Sequence, residues 1–332
     1  MLIGLLYILR TLHEDYERWS SFVPRRKPHG IDAAQDKPTS GRVTTNSAGI
    51  RRANATFVLL ARNSDLSGVL DSMRSMEDRF NKKFHYPWVF LNEVPFTAEF
   101  IQRVTAETDA PVSFGLIPAE QWHQPDWIDD DLATEGRRKM AAQNIIYADS
   151  ISYRNMCRFN SGFFFKHELL QPYRYHWRVE PDVKYFCDLD YDPFLFMEDS
   201  NKIYGFTISV YEWEQTIATL WDAVKEFIGE HPQYLAEDSA MSFLSDDGGQ
   251  TYNLCHYWSN FEIADLDFWR SEAYTKFFEF LEAKGGFYYE RWGDAPVHSI
   301  AASLFARKDQ LHFFDDVSIA YSSAQFRASN HF

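Results

Sequence analysis

Three short apolar runs between residues 55 and 117 alternate with two segments of helical periodicity, and this alternation most restricts the fold. Thr56 to Ala61, Trp88 to Leu91 and Val112 to Ile117 have the composition of buried strands. Between them, apolar residues recur at helical spacing from Leu66 to Phe80 and from Thr97 to Thr105. The pattern predicts a parallel sheet with crossover helices, the first half of a nucleotide-binding α/β domain. Neither a Gly-x-Gly-x-x-Gly motif after the first strand nor a P-loop is present, so a Rossmann dinucleotide site is not expected.

Apolar periodicity predicts further elements along the rest of the chain. They are a helix at Glu135 to Ile146, a strand at Lys202 to Val210, an amphipathic helix with Ile217, Leu220, Trp221, Val224 and Ile228 on one face, a strand and loop at Tyr252 to Ile263, a helix marked by Tyr274, Phe277, Phe278 and Leu281 that ends at Gly285, and a last helix with Pro296 in its first turn.

An acidic triplet, Glu180-Pro181-Asp182, closes an aromatic and β-branched run that begins at His176. Pro181 fixes φ and lacks a backbone donor, so the strand is expected to end there. Two carboxylates at a strand end suit a hard divalent cation whose other face holds a substrate diphosphate. A solvated turn uses the same residue types, and the triplet by itself leaves both interpretations open.

Composition narrows the classes of ligand. The formal net charge of −15 argues against a general nucleic-acid or anionic-membrane surface. It also means that a phosphate-bearing ligand needs a metal ion or local arginines. Aromatic residues make up 17% of the chain, which suits stacking on flat ligands such as sugars or bases as well as a large core. The three cysteines are too few for a disulfide framework and match no zinc spacing.

Several long motifs rich in aromatic and acidic residues carry a family resemblance. They are Tyr153 to Phe159 (YRNMCRF), Ser161 to Phe164 (SGFF), Trp177 to Asp182 (WRVEPD), Lys202 to Ser209 (KIYGFTIS), Phe243 to Asn260 (FLSDDGGQTYNLCHYWSN), Phe268 to Tyr274 (FWRSEAY) and Gly285 to Phe305 (GGFYYERWGDAPVHSIAASLF). In these stretches the chain resembles the fungal α-1,2-mannosyltransferases of the secretory pathway, glycosyltransferase family 15. The likeness extends over about residues 55 to 316.

The resemblance implies a fold and an activity. The fold is a glycosyltransferase-A-like mixed α/β sheet flanked by helices in a single large catalytic domain. The activity is retaining α-1,2-mannosyl transfer from GDP-mannose, with Mn²⁺, to a mannoside on a glycoprotein or glycolipid, as in cell-wall mannan synthesis. Family members are type II membrane proteins of the Golgi lumen. The run Leu2 to Leu9 is too short to span a bilayer, so membrane association would require an anchor that is missing or truncated.

The resemblance also implies an organisation of the chain. Residues 51–316 correspond to the catalytic glycosyltransferase domain. Residues 1–50 are predicted to be a partly disordered stem or linker, because Pro, Gly and basic residues alternate from about 20 to 50 without an apolar period. Residues 317–332 form a divergent tail: Tyr321 stands where the family has its last metal-ligand histidine.

The resemblance assigns roles to three residues. Glu180 matches the family's metal-binding acid, Tyr153 matches a tyrosine at the donor and acceptor site, and Glu262 matches the glutamate proposed as nucleophile. A retaining transfer needs a carboxylate on the β face of the sugar, either to attack C1 or to stabilise oxocarbenium-like charge. Sequence leaves open which of these two Glu262 does.

Other polar residues remain candidates with two interpretations each. Asp182 is assigned with Glu180 to the cation and the diphosphate. Arg62 and Arg158 are candidates for contacts to guanosine diphosphate, or they are structural arginines. Asp294 is either a helix cap or an acceptor-binding acid, His298 is expected to pack within the fold, and Asp246-Asp247 is either a second acidic contact or a solvated turn.

Two rival functions stay open. A retaining glycoside hydrolase also uses paired carboxylates and aromatic side chains. A mannan-binding pseudoenzyme is suggested by Tyr321 in place of the histidine. Dependence of turnover on GDP-mannose and Mn²⁺ separates a transferase from both.

Overall fold

A seven-stranded mixed sheet organises the protein. The computed structural model describes residues 44–45, 51–317 and 319–321. In chain order the strands are β1 (Thr44–Thr45), β2 (Arg51–Arg52), β3 (Ala55–Leu60), β4 (Trp88–Asn92), β5 (Val112–Leu116), β6 (Tyr175–Arg178), β7 (Val183–Tyr185), β8 (Tyr204–Phe206), β9 (Ser209–Tyr211), β10 (Cys255–Tyr257), β11 (Glu262–Asp265), β12 (Leu311–Phe313) and β13 (Ile319–Tyr321). The large sheet has the order β12-β8-β11-β6-β3-β4-β5, and β1-β2, β9-β10 and β7-β13 form two-stranded sheets.

Helices cover both faces of the large sheet. The α-helices are Leu66–Met76, Lys82–Phe84, Ala98–Thr105, Ala119–Trp122, Asp130–Ala142, Ile151–Gly162, Pro193–Asp199, Leu220–Glu230, Met241–Leu244, Leu266–Trp269, Glu272–Lys284, Gly286–Tyr289 and Asp294–Phe305. A π-helical turn, Glu77–Asn81, joins the first two. Within the described ranges, no helix is both long and apolar enough to cross a lipid bilayer.

The predicted parallel half of the sheet is confirmed. β3 runs parallel to β4 and β6, and β4 runs parallel to β5. The two crossover helices, Leu66–Met76 and Ala98–Thr105, occupy the positions that the periodicity predicts. Because parallel strands end at the same edge, the residues that follow β3 and β6 lie together at the carboxyl end of the sheet.

β11 gives the sheet its mixed character, since it is antiparallel to both neighbours, β6 and β8. Its first residue, Glu262, pairs with Arg178, the last residue of β6, and Ile263 pairs with Trp177. The start of β11 therefore lies at the same edge of the sheet as the acidic triplet that follows β6.

Side chains alternate between two cores, one on each face of the sheet. On β3, Phe57 and Leu59 enter one core while Val58 enters the other, as the period of two in a strand requires. Phe57 stacks on Trp88 with ring centroids 4.4 Å apart, and both side chains are fully buried. Strands buried on both faces explain why these runs are almost continuously apolar.

Two predicted elements differ from the structure, and one helix was not predicted. The predicted strand Lys202 to Val210 is two strands, because the chain leaves the large sheet after Phe206 and pairs with β10 through β9. The predicted helix Glu135 to Ile146 is Asp130–Ala142, because the Asp129 side chain caps the amides of Asp131 and Leu132. The helix Ile151–Gly162, which carries the YRNMCRF motif, has no counterpart among the predicted elements.

Most of the predicted stem, residues 1–50, and most of the tail lie outside the described residues. The described residues all belong to one compact unit. The domain boundaries at residues 50 and 316 remain predictions.

Candidate active site

Alternation along β6 separates a polar face from an apolar face. Tyr175, Trp177 and Val179 are fully buried in one core. His176, Arg178 and Glu180 therefore project to the opposite face, at spacings of two residues. The candidate site is formed around this polar face of β6.

The acidic triplet is held against the helix Leu66–Met76. The hydroxyl of Ser72 accepts from the Val183 amide at 2.9 Å and donates to the Glu180 carbonyl at 2.8 Å. The Asp182 amide donates to the Gly68 carbonyl at 3.0 Å. Asp182 adopts a left-handed backbone with φ of 64°, which Asp tolerates better than most residues.

Gly68 makes this docking possible. A Cβ atom at that position would lie 2.7 Å from the Asp182 carboxylate. The bare glycine thus allows the carboxylate to lie directly against the first turn of the helix.

Arg178 joins two carboxylates that are far apart in sequence. Its Nε lies 2.6 Å from Glu180 Oε1, and its Nη1 donates to Asp294, the first residue of the last helix. The hydroxyl of Ser259 donates to the same Asp294 oxygen at 2.9 Å. Asp294 is therefore an ion-pair partner at the start of the helix, whose N-cap position is occupied by Gly293.

The pKa values of Glu180 and Asp294 shift in opposite directions, although both carboxylates contact Arg178. Burial raises the pKa of Glu180, and the neighbouring Arg178 only partly offsets that rise. Burial also acts to raise the pKa of Asp294, but Arg178 and the other partners outweigh it and hold that pKa below its usual range. Arg178, His298 and Ser259 together favour the charged form of Asp294, whereas burial and the neighbouring acids oppose the charged form of Glu180.

Glu262 lies one strand away, completely buried between two histidines. Its Oε1 lies 3.0 Å from His176 Nε2, and its Oε2 lies 2.7 Å from His298 Nδ1. Burial acts to raise the pKa of Glu262, but the two histidines more than offset it and hold that pKa far below its usual range. The carboxylate stays ionised and borders a cavity that Arg178 and Asn160 also line.

Tyr153 lies on the helix Ile151–Gly162, half-buried between two partners. Its ring stacks on Tyr147 with centroids 4.5 Å apart and planes 11° apart. The Arg291 guanidinium lies 5.2 Å from the centroid of the Tyr153 ring. The nearby Cys157 thiol and burial raise the pKa of Tyr153, so its hydroxyl keeps its proton and can donate a hydrogen bond.

The two candidate arginines have different surroundings. Arg62 is exposed just beyond β3, where its guanidinium donates to the Ser152 hydroxyl at 2.8 Å. Arg158 is buried, pairs with Glu282 at 2.7 Å, and donates to the carbonyls of Gln121 and His123. The structural interpretation is therefore favoured for Arg158, while Arg62 is free to meet a ligand at the strand end.

The Asp246-Asp247 pair is a turn. Asp247 accepts from the amides of Gln250 and Thr251 at 2.9 Å each, and these bonds lower its pKa to about 2. The carboxylate of Asp247 is thus used within its own loop, which favours the solvated-turn interpretation.

Within the part of the chain that the structure describes, no three His, Cys, Asp or Glu side chains form a complete metal site. Glu180 and Asp182 still supply two carboxylates from one turn. Hard cations that also take diphosphate oxygens need only one or two protein carboxylates. The residues present fit a cation shared with a diphosphate better than a closed all-protein site.

Position 321 lies beside this turn. The backbone of Tyr321 pairs with Val183, the residue that follows Asp182. The side chain of Tyr321 lies outside the described residues, and its correspondence to a family histidine stays a prediction.

Sequence reasoning did not single out four polar groups of the site: His176, Arg178, Asn160 and Ser259. A signal for the first two was present, because His176, Arg178 and Glu180 follow the strand period of two. The other two come from a helix and a loop whose placement depends on tertiary packing. His298 was expected to pack within the fold, and its burial agrees with that expectation, but its contact with Glu262 was not anticipated.

The glycolipid 2-alpha-mannosyltransferase family model matches residues 23–330, well over half of the chain. The chain belongs to the glycolipid 2-alpha-mannosyltransferase family. Relatives within the family agree. Glycolipid 2-alpha-mannosyltransferase 2 of Candida albicans is 59% identical over 271 residues, which cover 82% of this chain and 59% of that protein. An O-glycoside alpha-1,2-mannosyltransferase of Schizosaccharomyces pombe is 54% identical over 80% of this chain and 68% of its own length.

The solved structures of a core-mannan synthase and of a mannosyltransferase share the fold. Core-mannan synthase A from Aspergillus fumigatus, in its Mn/GDP form, superposes with a TM-score of 0.80 at 43% identity, over 86% of this chain and 81% of that one. A Saccharomyces cerevisiae mannosyltransferase in complex with GDP gives the same TM-score and identity, over 87% and 76% of the two chains. The expected mixed sheet flanked by helices is confirmed. The chain spans about three fifths of the length of the Candida relative.

Proposed function

We propose that this chain transfers mannose from GDP-mannose to a mannoside acceptor on a glycoprotein or glycolipid, forming an α-1,2 linkage with retention of configuration. The observation that carries the proposal is the placement of Glu180, Arg178, Asp294 and Glu262 at one edge of the sheet. It is supported by 43% identity, over most of the chain, to a protein whose structure holds Mn and GDP. The Golgi lumen as the site of action belongs to the same proposal.

Glu180 and Asp182 are the residues proposed to hold Mn²⁺ together with the diphosphate of GDP-mannose. When bound, the ion supplies positive charge to the departing diphosphate, which a chain with a net charge of −15 cannot readily provide by itself. Arg62 is proposed to contact the nucleotide, because it is exposed at the end of β3.

Arg178 and Asp294 are proposed to orient the acceptor edge of the site. Their ion pair is nearly buried, with 11% and 7% of the two side chains exposed. A pair that is fixed in this way holds hydrogen-bonding groups in place without reorganisation during reaction. Tyr153, which keeps its proton, is proposed to donate a hydrogen bond at the junction of donor and acceptor.

Glu262 is proposed to act by charge rather than by attack. Both of its carboxylate oxygens are within hydrogen-bonding distance of histidines, and the side chain is fully buried. A covalent attack on C1 would have to break at least one of these bonds. A fixed buried carboxylate, in contrast, stabilises developing positive charge without moving.

A donor screen tests the proposal. Purified protein is incubated with radiolabelled nucleotide sugars and either methyl α-mannoside or mannobiose, with and without Mn²⁺. We expect label transfer from GDP-mannose only, in the presence of Mn²⁺, with an α-1,2-linked product. Release of mannose from mannosides without a nucleotide sugar would instead show a glycoside hydrolase.

The mannan-binding pseudoenzyme remains a second candidate, because the resemblance places Tyr321 where the family has a metal-ligand histidine, and the backbone of Tyr321 pairs with Val183 beside the acidic turn. Sugar binding without turnover at saturating Mn²⁺ would favour it. The variant Tyr321→His tests whether this position is responsible for a lack of turnover. Restored transfer in the variant would show that position 321 alone limits activity.

A further inference from the structure

Tyr147 has a strained backbone and an exposed side chain. Its φ is 60°, in the left-handed region that an aromatic residue rarely adopts. The residue is 58% exposed, so much of its side chain is accessible to solvent. A strained conformation costs free energy and persists only where the surrounding structure enforces it, so the strain is itself a pointer to function.

Arg154, which is completely buried, holds the backbone of Tyr147 in this conformation. Its guanidinium donates to the Ala148 carbonyl at 2.7 Å and to the Ser150 carbonyl at 3.3 Å. It also donates to the Tyr147 carbonyl at 3.4 Å and to the Glu290 carbonyl at 3.0 Å. A buried arginine that donates to four carbonyls fixes the loop 147–150 against the segment that leads to Asp294.

Tyr147 is the outer layer of a stack that ends in the proposed site. One face of its ring lies on Tyr153, and Arg291 packs on Tyr153 in turn. Arg291 is buried and lies 3.8 Å from Glu212. The inner two layers are therefore fixed by the fold, and the outer ring meets solvent beside the residue proposed to contact donor and acceptor.

We propose that the exposed face of Tyr147 binds the second pyranose ring of the acceptor, the sugar next to the one that receives mannose. This inference rests on the proposed function. Pyranose rings carry C–H groups on one face, and these pack well on the electron-rich face of an aromatic ring. Arg154 ties the loop that carries Tyr147 to the carbonyl of Glu290, four positions before Asp294, which is proposed to lie at the acceptor edge of the site. This position favours a sugar of the acceptor over the guanine base.

The test compares two acceptors in two variants. Tyr147→Asn removes the ring, and Asn tolerates the left-handed backbone, so the loop keeps its conformation. Tyr147→Phe keeps the ring and is the matched control. For each protein, kcat/KM is measured with methyl α-mannoside, which has one ring, and with α-1,2-mannobiose, which has two.

We expect Tyr147→Asn to lower kcat/KM for mannobiose about tenfold, through a higher KM, because one aromatic contact is worth about a factor of ten. The kcat/KM for methyl α-mannoside should stay within about twofold of the wild type. The KM for GDP-mannose should not change. Tyr147→Phe should match the wild type. An equal loss with both acceptors would show that Tyr147 only supports Tyr153. A higher KM for GDP-mannose alone would show stacking on the nucleotide. Either result, or no change at all, overturns the proposal.

Failure of the proposed function is distinguishable from failure of this inference. Binding of mannobiose without donor is followed by saturation-transfer NMR in the wild type and both variants. If the wild type transfers no mannose but binds mannobiose, and only Tyr147→Asn loses that binding, the sugar subsite stands while the activity does not. Equal mannobiose binding by all three proteins overturns the subsite whatever the activity.

Discussion

His298 Nδ1 lies 2.7 Å from Oε2 of Glu262, while its Nε2 lies 3.0 Å from the carbonyl oxygen of Asn160. A carbonyl only accepts, so Nε2 carries a proton. A proton must also lie between Nδ1 and the carboxylate, because two bare acceptors at this distance would repel. Both ring nitrogens of His298 thus face acceptors, which is the geometry of a doubly protonated imidazole beside a carboxylate. The two residues therefore form a buried ion pair beneath the candidate site, and His176 donates to the other carboxylate oxygen.

The variant Glu262→Gln tests this pair. The substitution keeps the shape but leaves the His298 cation without its counter-charge. We expect the free energy of unfolding at pH 7, measured in urea, to fall by about 3 kcal/mol, as for other broken buried ion pairs. Transfer should fall by about a hundredfold or more, as when a fixed electrostatic group is removed from an active site. The affinity for GDP, measured by calorimetry, should stay within about twofold of the wild-type affinity, because the donor half of the site is intact. A twofold change corresponds to less than about 0.5 kcal/mol in the free energy of binding.

The control is Glu120→Gln at an exposed position of the helix Ala119–Trp122, and this substitution should leave activity and stability unchanged. Unchanged turnover in Glu262→Gln would end the catalytic assignment of this residue. Unchanged stability would show that the two residues do not form an ion pair.

The pH dependence of stability should report His176. Burial lowers the pKa of His176, so this histidine stays neutral in the folded protein while the unfolded chain takes up a proton below about pH 6.5. The unfolded state then binds more protons, and the free energy of unfolding decreases as pH falls through this range. The contribution of one such group reaches about 1.4 kcal/mol per pH unit. Glu262 adds a separate loss below about pH 4.3, because its pKa is depressed in the folded state.

The variant His176→Gln keeps a donor toward Glu262 but does not titrate. We expect its free energy of unfolding to fall less steeply than that of the wild type between pH 6.5 and 5, by about 1 kcal/mol per unit. Burial also lowers the pKa values of His256 and His312, but both remain in the variant and cancel in the comparison. Identical slopes in urea titrations of the two proteins would contradict the neutral state of His176.

The sequence predicted most of the fold correctly where the local pattern of apolar residues agrees with the tertiary structure. β3 and β4 are buried on both faces and the edge strand β5 is partly buried, and their apolar runs predicted all three strands within a residue or two. The split of the predicted strand Lys202 to Val210 was not readable, because nothing local marks the change of partner from β11 to β10.

The sequence also predicted part of the candidate site, where the residues concerned lie in local motifs. The acidic triplet and Glu262 stood out through the family motifs. The partnership of Arg178 with Asp294 joins positions 116 residues apart, and that of His298 with Glu262 joins positions 36 apart. Such pairs depend on register between elements, which periodicity does not specify. Arg158 shows what contacts add: its place in a motif left a ligand contact and a structural role both open, and its bonds to two loop carbonyls and Glu282 favour the structural role.

A pair of arginine variants should separate structural from binding roles. Arg158→Lys cannot reproduce the fork that reaches Glu282 and two carbonyls, so the free energy of unfolding should fall by about 2 kcal/mol. Affinity for GDP in the presence of Mn²⁺ should not change. Arg62→Lys should do the reverse: its exposed side chain contributes little to stability, but loss of the planar guanidinium should weaken GDP binding several-fold. Weaker GDP binding in Arg158→Lys with unchanged stability would reverse the two assignments.

Glu180→Gln tests the proposed cation site. The amide keeps one oxygen near Arg178 but loses the negative charge that a hard cation prefers. Affinity for GDP should fall about tenfold in the presence of Mn²⁺, the scale of a lost charged ligand, and should match the wild type in EDTA. Asp188→Asn, on the exposed stretch beyond β7, is the control and should bind GDP like the wild type in both conditions. Titration calorimetry that gives equal affinities for Glu180→Gln and the wild type with Mn²⁺ would refute the assignment.

Gly68→Ala offers the sharpest separation of binding from stability. The new methyl group would lie 2.7 Å from the Asp182 carboxylate, which can rotate away because it is the end of a side chain. Alanine also favours the helix Leu66–Met76 by up to about 1 kcal/mol over glycine. We therefore expect a free energy of unfolding equal to or slightly above that of the wild type, together with several-fold weaker Mn²⁺-dependent binding of GDP. Gly229→Ala, where a Cβ meets nothing within 4 Å, is the matched control and should show the helix effect alone. If both variants bind GDP and Mn²⁺ like the wild type, the position of the Asp182 carboxylate against the helix does not matter for the cation.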